Sequence, residues 1–118
     1  MFVNLSNHPS DRWGEAQLEA ARKNYGEVED MSFPQVAPEM SAAEVAQLAE
    51  EYADSVVKMY GSAVTVHVMG EMTFTHALVS RLKAQGIRCV ASTTERHVRM
   101  EADGTKVSEF RFVQFREY

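Results

Sequence analysis

Cysteine is nearly absent: Cys89 stands alone among 118 residues. That excludes an intrachain disulfide framework and leaves no support for a cysteine-based zinc site. A lone thiol in the middle of a strand reads as an inert, buried, small apolar residue, and the setting expected is cytoplasmic. Long apolar runs are missing too. The longest cover only a few residues, against the roughly 20 that a membrane-spanning helix needs. The opening Met1-Phe2-Val3-Asn4-Leu5 turns polar too soon for a secretory leader. Basic residues are outnumbered, with 12 Lys and Arg against 17 Asp and Glu and a formal charge of −5. Duplex DNA or RNA is held through many Lys and Arg contacts to phosphate, so a long nucleic-acid track is disfavoured. A compact anionic ligand in one pocket is not.

Hydrophobic residues make up 45% and charged residues 25%, the balance of an ordinary globular chain. The length fits one domain spanning 1–118, with no internal repeat and no linker. Phe2-Val3-Asn4-Leu5 reads as a short buried strand ending at the polar run Ser6-Asn7-His8-Pro9-Ser10. A helix is expected from Gly14 to Tyr25, with Leu18, Ala21 and Tyr25 on one stripe and Gly26 closing it. Glu27 to Met31 reads as a second strand. Pro34 and Pro38 then mark a loop. Ser41-Ala42-Ala43-Glu44 is a capping box, and Val45, Leu48, Ala49, Tyr52, Ala53, Val56 and Tyr60 recur at helical spacing.

Ala63 to Met69 is rich in β-branched residues and reads as a third strand, followed by the turn Gly70-Glu71-Met72-Thr73. Thr73 is the natural N-cap of the helix that runs from there to Gln85. Ile87 to Ala91 reads as a fourth strand leading into a polar loop, Ser92-Thr93-Thr94-Glu95-Arg96. His97–Glu101 and Lys106–Phe115 flank Ala102-Asp103-Gly104-Thr105, and Asp-Gly between two strand-like runs is a strong hairpin signal. The order β-α-β-α-β-α-β plus a hairpin implies a small Rossmann-like, doubly wound α/β domain. Its sheet should be mostly parallel, with helices on both faces and a C-terminal antiparallel hairpin.

In such sheets ligands bind beyond the carboxyl ends of the strands, near the point where strand order reverses. The polar segments after the first, third and fourth strands should therefore converge. They bring Ser6, Asn7, His8 and Ser10, then Gly70, Glu71, Met72 and Thr73, then Ser92, Thr93, Thr94, Glu95 and Arg96. The mix suits a phosphorylated or nucleotide-like ligand, with Arg96 on phosphate and the N-terminus of the third helix lending positive potential. Gly70-Glu71-Met72-Thr73 is neither a P-loop nor a dinucleotide fingerprint, because its glycine is alone and no lysine follows. It reads equally as a plain strand-to-helix turn.

His8 is either a general acid–base and phosphate donor or a loop histidine bonded to backbone. His67 alternates within the third strand and reads as a sheet-face residue. His76 and His97 match no metal spacing. Trp13 shares a helix face with Gln17 and either stacks on a base or covers the core edge. At the C-terminus, strand alternation turns Phe110 and Phe112 one way and Val113 and Phe115 the other. A terminal strand apolar on both faces points to a homodimer or larger assembly through the hairpin.

Along Leu5-Ser6-Asn7-His8-Pro9-Ser10 with Trp13 and Gln17, then Met69 to Thr75, Ser92 to Arg96 and Phe112 to Arg116, the chain resembles a known group. It is similar to the small, single-domain CRISPR-associated proteins of the Csx type, whose fold resembles the sensor domains for cyclic oligoadenylate. The likeness spans nearly the whole chain in the order of its elements. It implies a ligand, cyclic tetra-adenylate, lying across the two-fold axis of a homodimer. It further implies opening of the ring by attack of a ribose 2′-hydroxyl, a reaction that needs no metal or other cofactor. In that scheme His8, Arg96 and Glu71 are the candidate catalytic residues, with Arg96 stabilising charge and His8 acting as acid or base. Ser10, Thr73 and Ser92 would orient phosphate oxygens. Two other readings stay open: a module that senses or sequesters the messenger without cleaving it, and a partner-binding α/β domain with no small ligand.

Overall fold

Two apolar pentads, Phe2–Ser6 (β1) and Thr65–Met69 (β3), lie side by side in parallel at the centre of the sheet, and nearly every residue in them is buried. Strands covered on both faces read as almost continuous apolar runs, and in these two the buried polar residues are Ser6 and Thr65 at the ends and Asn4 and His67 in the middle. The computed structural model describes residues Met1–Tyr118. Its other elements are α1 (Glu15–Tyr25), β2 (Val28–Asp30), α2 (Ala42–Tyr60), α3 (Met72–Ala84), β4 (Arg88–Met100) and β5 (Lys106–Glu117), with a 3-10 turn at Ser10–Arg12. The single sheet has the order β2-β1-β3-β4-β5, parallel except for the antiparallel β4–β5 pair. This is the doubly wound α/β arrangement. Strand order reverses between β1 and β3.

The two faces bury different material. Val3, Leu5, Val66 and Val68 pack with Val45, Ala49 and Val56 of α2 and Phe74, Leu78 and Leu82 of α3. Each fully buried Leu or Phe there contributes roughly 1.5–3 kcal/mol relative to exposure. The other face is smaller: Phe2, Ala21 and Val90 form its buried centre under α1, with Trp13, Tyr25 and Phe115 around them.

α2 begins where expected. Ser41 Oγ accepts from Glu44 N–H, and the Glu44 carboxylate returns the bond to Ser41 N–H. α3 does not begin as expected. Its N-cap is Glu71, whose carboxylate accepts from Thr73 N–H at 2.8 Å, Phe74 N–H at 3.1 Å and the Thr73 hydroxyl. An anion that reaches two free N–H groups at the positive end of the helix outcompetes the neutral hydroxyl of Thr73.

The largest departure lies at the C-terminal end. Ser92–Arg96 is not a loop: β4 runs unbroken through it to Met100. Pairing with β5 supplies the backbone partners that keep those polar residues extended, and Asp103-Gly104 closes the hairpin with Gly104 at φ 86°. A bulge at Val113 shifts the register, so that Thr93 pairs with Gln114 while Thr94 pairs with Phe112. The Thr93 hydroxyl bonds the Gln114 backbone there. One inserted residue reverses the side-chain parity. Phe112 and Phe115 consequently lie on one face, with ring centroids 4.8 Å apart, not on opposite faces as strict alternation predicts. Phe115 is packed inside its own chain against Phe2 and Tyr25, which leaves only the distal hairpin exposed.

Candidate functional site

The register of the parallel strands lines up Asp30, Asn4 and His67 as direct neighbours on β2, β1 and β3. His67 in turn pairs with Val90 of β4, and Ser92 follows two positions along on the same face. Four polar side chains thus cross the sheet beneath α1, and they are bonded in sequence. Asn4 Nδ2 donates to Asp30 Oδ1 at 2.8 Å and to the His8 carbonyl at 2.8 Å. Asn4 Oδ1 accepts from Ser6 Oγ at 2.7 Å and faces His67 Nδ1 at 2.9 Å. On the far side of the ring, His67 Nε2 lies 3.3 Å from Ser92 Oγ.

This chain has a fixed direction. Both partners of the Asn4 amino group are acceptors only, which orients the amide and turns its oxygen to His67. His67 Nδ1 must then carry the proton, and Nε2 is left with a lone pair toward Ser92. The imidazole is only 2% exposed and enclosed by Phe2, Trp13 and Phe115. Burial, with a smaller contribution from nearby His8, pushes its pKa down from 6.5 to about 4, so it is neutral at physiological pH. Asp30 is anchored at the other end by the Ser10 N–H and hydroxyl as well as Asn4. These bonds hold its carboxyl below the usual range, although partial burial acts in the opposite direction.

His67 and Ser92 form the floor of a cavity of about 810 Å³ between α1, the loop after β1 and the base of the hairpin. Trp13 and Phe112 wall it, and Arg12 and Arg111 lie at its edge together with Glu15. Trp13 is held by its indole N–H donating to the His8 carbonyl at 3.1 Å. The His8 carbonyl also accepts from Asn4 Nδ2 and the His8 N–H donates to Ser6 Oγ at 3.2 Å, so the loop is tied down while the His8 imidazole stays exposed. The cavity stands at the carboxyl ends of β1 and β3, where strand order reverses.

Of the residues expected to converge, Ser6, His8, Trp13, Ser92 and Thr94 line this cavity. Ser10 stands behind it on Asp30. Asn7 lines a separate cleft of about 470 Å³ beside Met31 and Phe33. Gly70, Glu71, Met72 and Thr73 sit at the start of α3 and do not line the cavity. Gly70 packs against the Phe33 ring so closely that a Cβ would lie 2.3 Å from it, Met72 is 84% exposed, and Glu71 and Thr73 are bonded to each other. Thr93 serves the bulge, and Glu95 lies 3.5 Å from His97 on the exposed hairpin. Arg96 stands one step beyond the cavity, opposite Phe110, its guanidinium donating to Ser108 Oγ at 3.0 Å.

Sequence reasoning passed over Asn4 and Asp30, took His67 for an ordinary sheet residue, and noted Arg12 only as a basic residue of the first loop. The available signal was that Asn4 and His67 break runs that are otherwise apolar, since a strand buried on both faces has no bland use for either. No three His, Cys, Asp or Glu side chains converge as a metal-binding group. The model of the Uncharacterized protein MJ1673 family matches residues 1–116, and the chain belongs to that family. No curated protein and no solved structure matches it.

Proposed function

We propose that this member of the MJ1673 family binds a cyclic oligoadenylate, of the size of cyclic tetra-adenylate, and opens it by attack of a ribose 2′-hydroxyl on the adjacent phosphorus. The observation that carries the reading is the composition of the cavity wall. Two aromatic faces, Trp13 and Phe112, stand with Arg12 and Arg111 around one opening, on a chain whose net charge is −5. Aromatic faces stack on bases and guanidinium groups bind phosphate, so the pair of features fits a nucleotide better than either a peptide or a plain anion. Arg12 has no carboxylate partner, and Arg111 is held only by an exposed Glu109 at 3.3 Å. Both are available to phosphate at little cost.

A cavity near 810 Å³ is of the size that holds one small organic ligand. A ring of four nucleotides exceeds it and calls for the matching cavity of a second copy. A homodimer with the ring across its two-fold axis supplies that second half and doubles the cations. Arg96, opposite Phe110 on the hairpin, then meets the part of the ring that extends past each cavity.

The reaction asks for few groups. The 2′-hydroxyl gives up its proton to water and its oxygen forms a bond to phosphorus while the bond to the 5′-oxygen breaks, leaving a 2′,3′-cyclic phosphate and a free 5′-hydroxyl. The protein holds the hydroxyl in line, offsets charge on the phosphoryl oxygens and protonates the departing oxygen. Arg12 and Arg111 serve the second task, and the exposed His8 imidazole serves the third.

Incubation of the purified chain with cyclic tetra-adenylate in EDTA, followed by chromatography, tests the proposal. Linear product supports it. Tight binding without product assigns a sequestering module instead, and neither binding nor product overturns the reading.

A further inference from the structure

We infer that Ser92 meets the ligand as a hydrogen-bond acceptor only, and that it thereby selects ribose over 2′-deoxyribose at the reacting position. The inference rests on the reading just given, and it follows from the polarity of the bonded row across the sheet. A serine hydroxyl has one proton and two lone pairs. Around Ser92 Oγ the chain offers two partners, His67 Nε2 at 3.3 Å and Met69 Sδ at 3.0 Å. Neither can donate. Nε2 is unprotonated because Asn4 fixes the proton on Nδ1, and a thioether sulfur has none to give.

Whichever of the two it chooses, the hydroxyl spends its proton inward. Its remaining lone pairs belong to the cavity, of which Ser92 is a lining residue. A group that can only accept recognises a donor. On a cyclic oligoadenylate the sugar-borne donor is the 2′-hydroxyl, which is also the group that must be held in line for attack. A 2′-deoxy ring leaves Ser92 facing hydrogen, with a half-buried lone pair unanswered. His67 and Asn4 act here as positioning residues, since they touch the ligand only through Ser92.

The test measures affinity, not turnover, because a 2′-deoxy ring cannot react by this route. Cyclic tetra-adenylate and its fully 2′-deoxy counterpart are titrated by calorimetry against the wild-type chain, Ser92→Ala and His67→Phe. The second variant keeps an aromatic ring among Phe2, Trp13 and Phe115 but removes Nε2. The expected result is a preference of about tenfold or more for the ribose ring in the wild type, the size of one well-placed hydrogen bond. That preference should fall to near unity in Ser92→Ala and shrink in His67→Phe, where the hydroxyl is free to turn. Equal wild-type affinity for both rings overturns the inference and leaves the proposed function standing. So does a preference that Ser92→Ala retains in full. A wild-type chain that binds neither ring overturns both.

Discussion

Asn4 and His67 are paired in register on adjacent parallel strands, and a hydrogen bond of 2.9 Å joins the Asn4 amide oxygen to His67 Nδ1 in the interior of the sheet. Without Asn4, His67 Nδ1 would be a buried polar atom with no partner, and without His67 the Asn4 oxygen would keep only the Ser6 hydroxyl. Together they satisfy one another and orient everything bonded to them. All four hydrogen-bonding positions of the Asn4 amide are filled.

Replacement of Asn4 by Leu should therefore destabilise the chain by about 3 kcal/mol, although Leu is apolar and of similar size. The loss comes from stranding His67 Nδ1–H in the interior, at about 1–3 kcal/mol for an unsatisfied buried group, and from taking a donor away from Asp30 and the His8 carbonyl. Urea denaturation measures it. A change below about 1 kcal/mol would show that water replaces the amide.

Stability should fall as the medium is acidified from about pH 6.5 toward pH 4. His67 in the folded chain has its pKa lowered from 6.5 to about 4, so across that window the unfolded chain binds the proton and the folded one does not. The contribution is fully present above pH 6.5 and lost as pH falls through about 4, with an upper limit of about 3 kcal/mol at 1.36 kcal/mol per pH unit. Urea midpoints followed over this range in the wild type and His67→Phe check it. The variant should lack this component of the slope.

Deletion of Val113 should restore regular pairing between β4 and β5 and leave Phe112 opposite Thr94 on the cavity face, since the residue removed is the unpaired one. Val113 is 55% exposed, so little packing is lost with it. Binding of cyclic tetra-adenylate should persist in the deletion, whereas Phe112→Ala should weaken it by about tenfold as one stacking face is lost. Calorimetry compares the two; unchanged affinity in Phe112→Ala would show that Phe112 is not part of the site.

Arg12→Ala should weaken that binding by about tenfold to a hundredfold, as one or two charge-assisted hydrogen bonds of about 1.5–3 kcal/mol are lost. Lys at the same position should restore only part, since it carries charge without the planar fork. Calorimetry gives both values. Unchanged affinity in Arg12→Ala removes this residue from the site.

The distal hairpin should hold two copies together. The chain has a radius of gyration of 16.1 Å against roughly 13.5 Å for a compact domain of this length, because the hairpin projects. Val98, Met100 and Phe110 are exposed along it, Phe110 at 67%. Light scattering should give twice 13.3 kDa, and Phe110→Asp should return the mass to a single chain. A wild-type mass near 13.3 kDa would overturn the assembly.

Local chemistry determined the elements. The capping box at Ser41, the helical spacing from Val45 to Tyr60 and the Asp103-Gly104 turn are read from neighbours a few residues apart, and the fold class follows from the order in which such signals alternate. The end of the sheet at which the cavity opens followed as well, because the ends of parallel strands are fixed by topology. The chemistry of the site did not. Asn4, Asp30, His67 and Ser92 are separated by tens of residues, and only strand register makes them neighbours. Ser92–Arg96 is extended because β5 comes to pair with it, and Phe112 faces the cavity because one extra residue at Val113 reverses parity. Register, pairing and bulges are settled by long-range backbone hydrogen bonds and by which face finds a core to bury against. No window of the sequence contains both partners of such a bond.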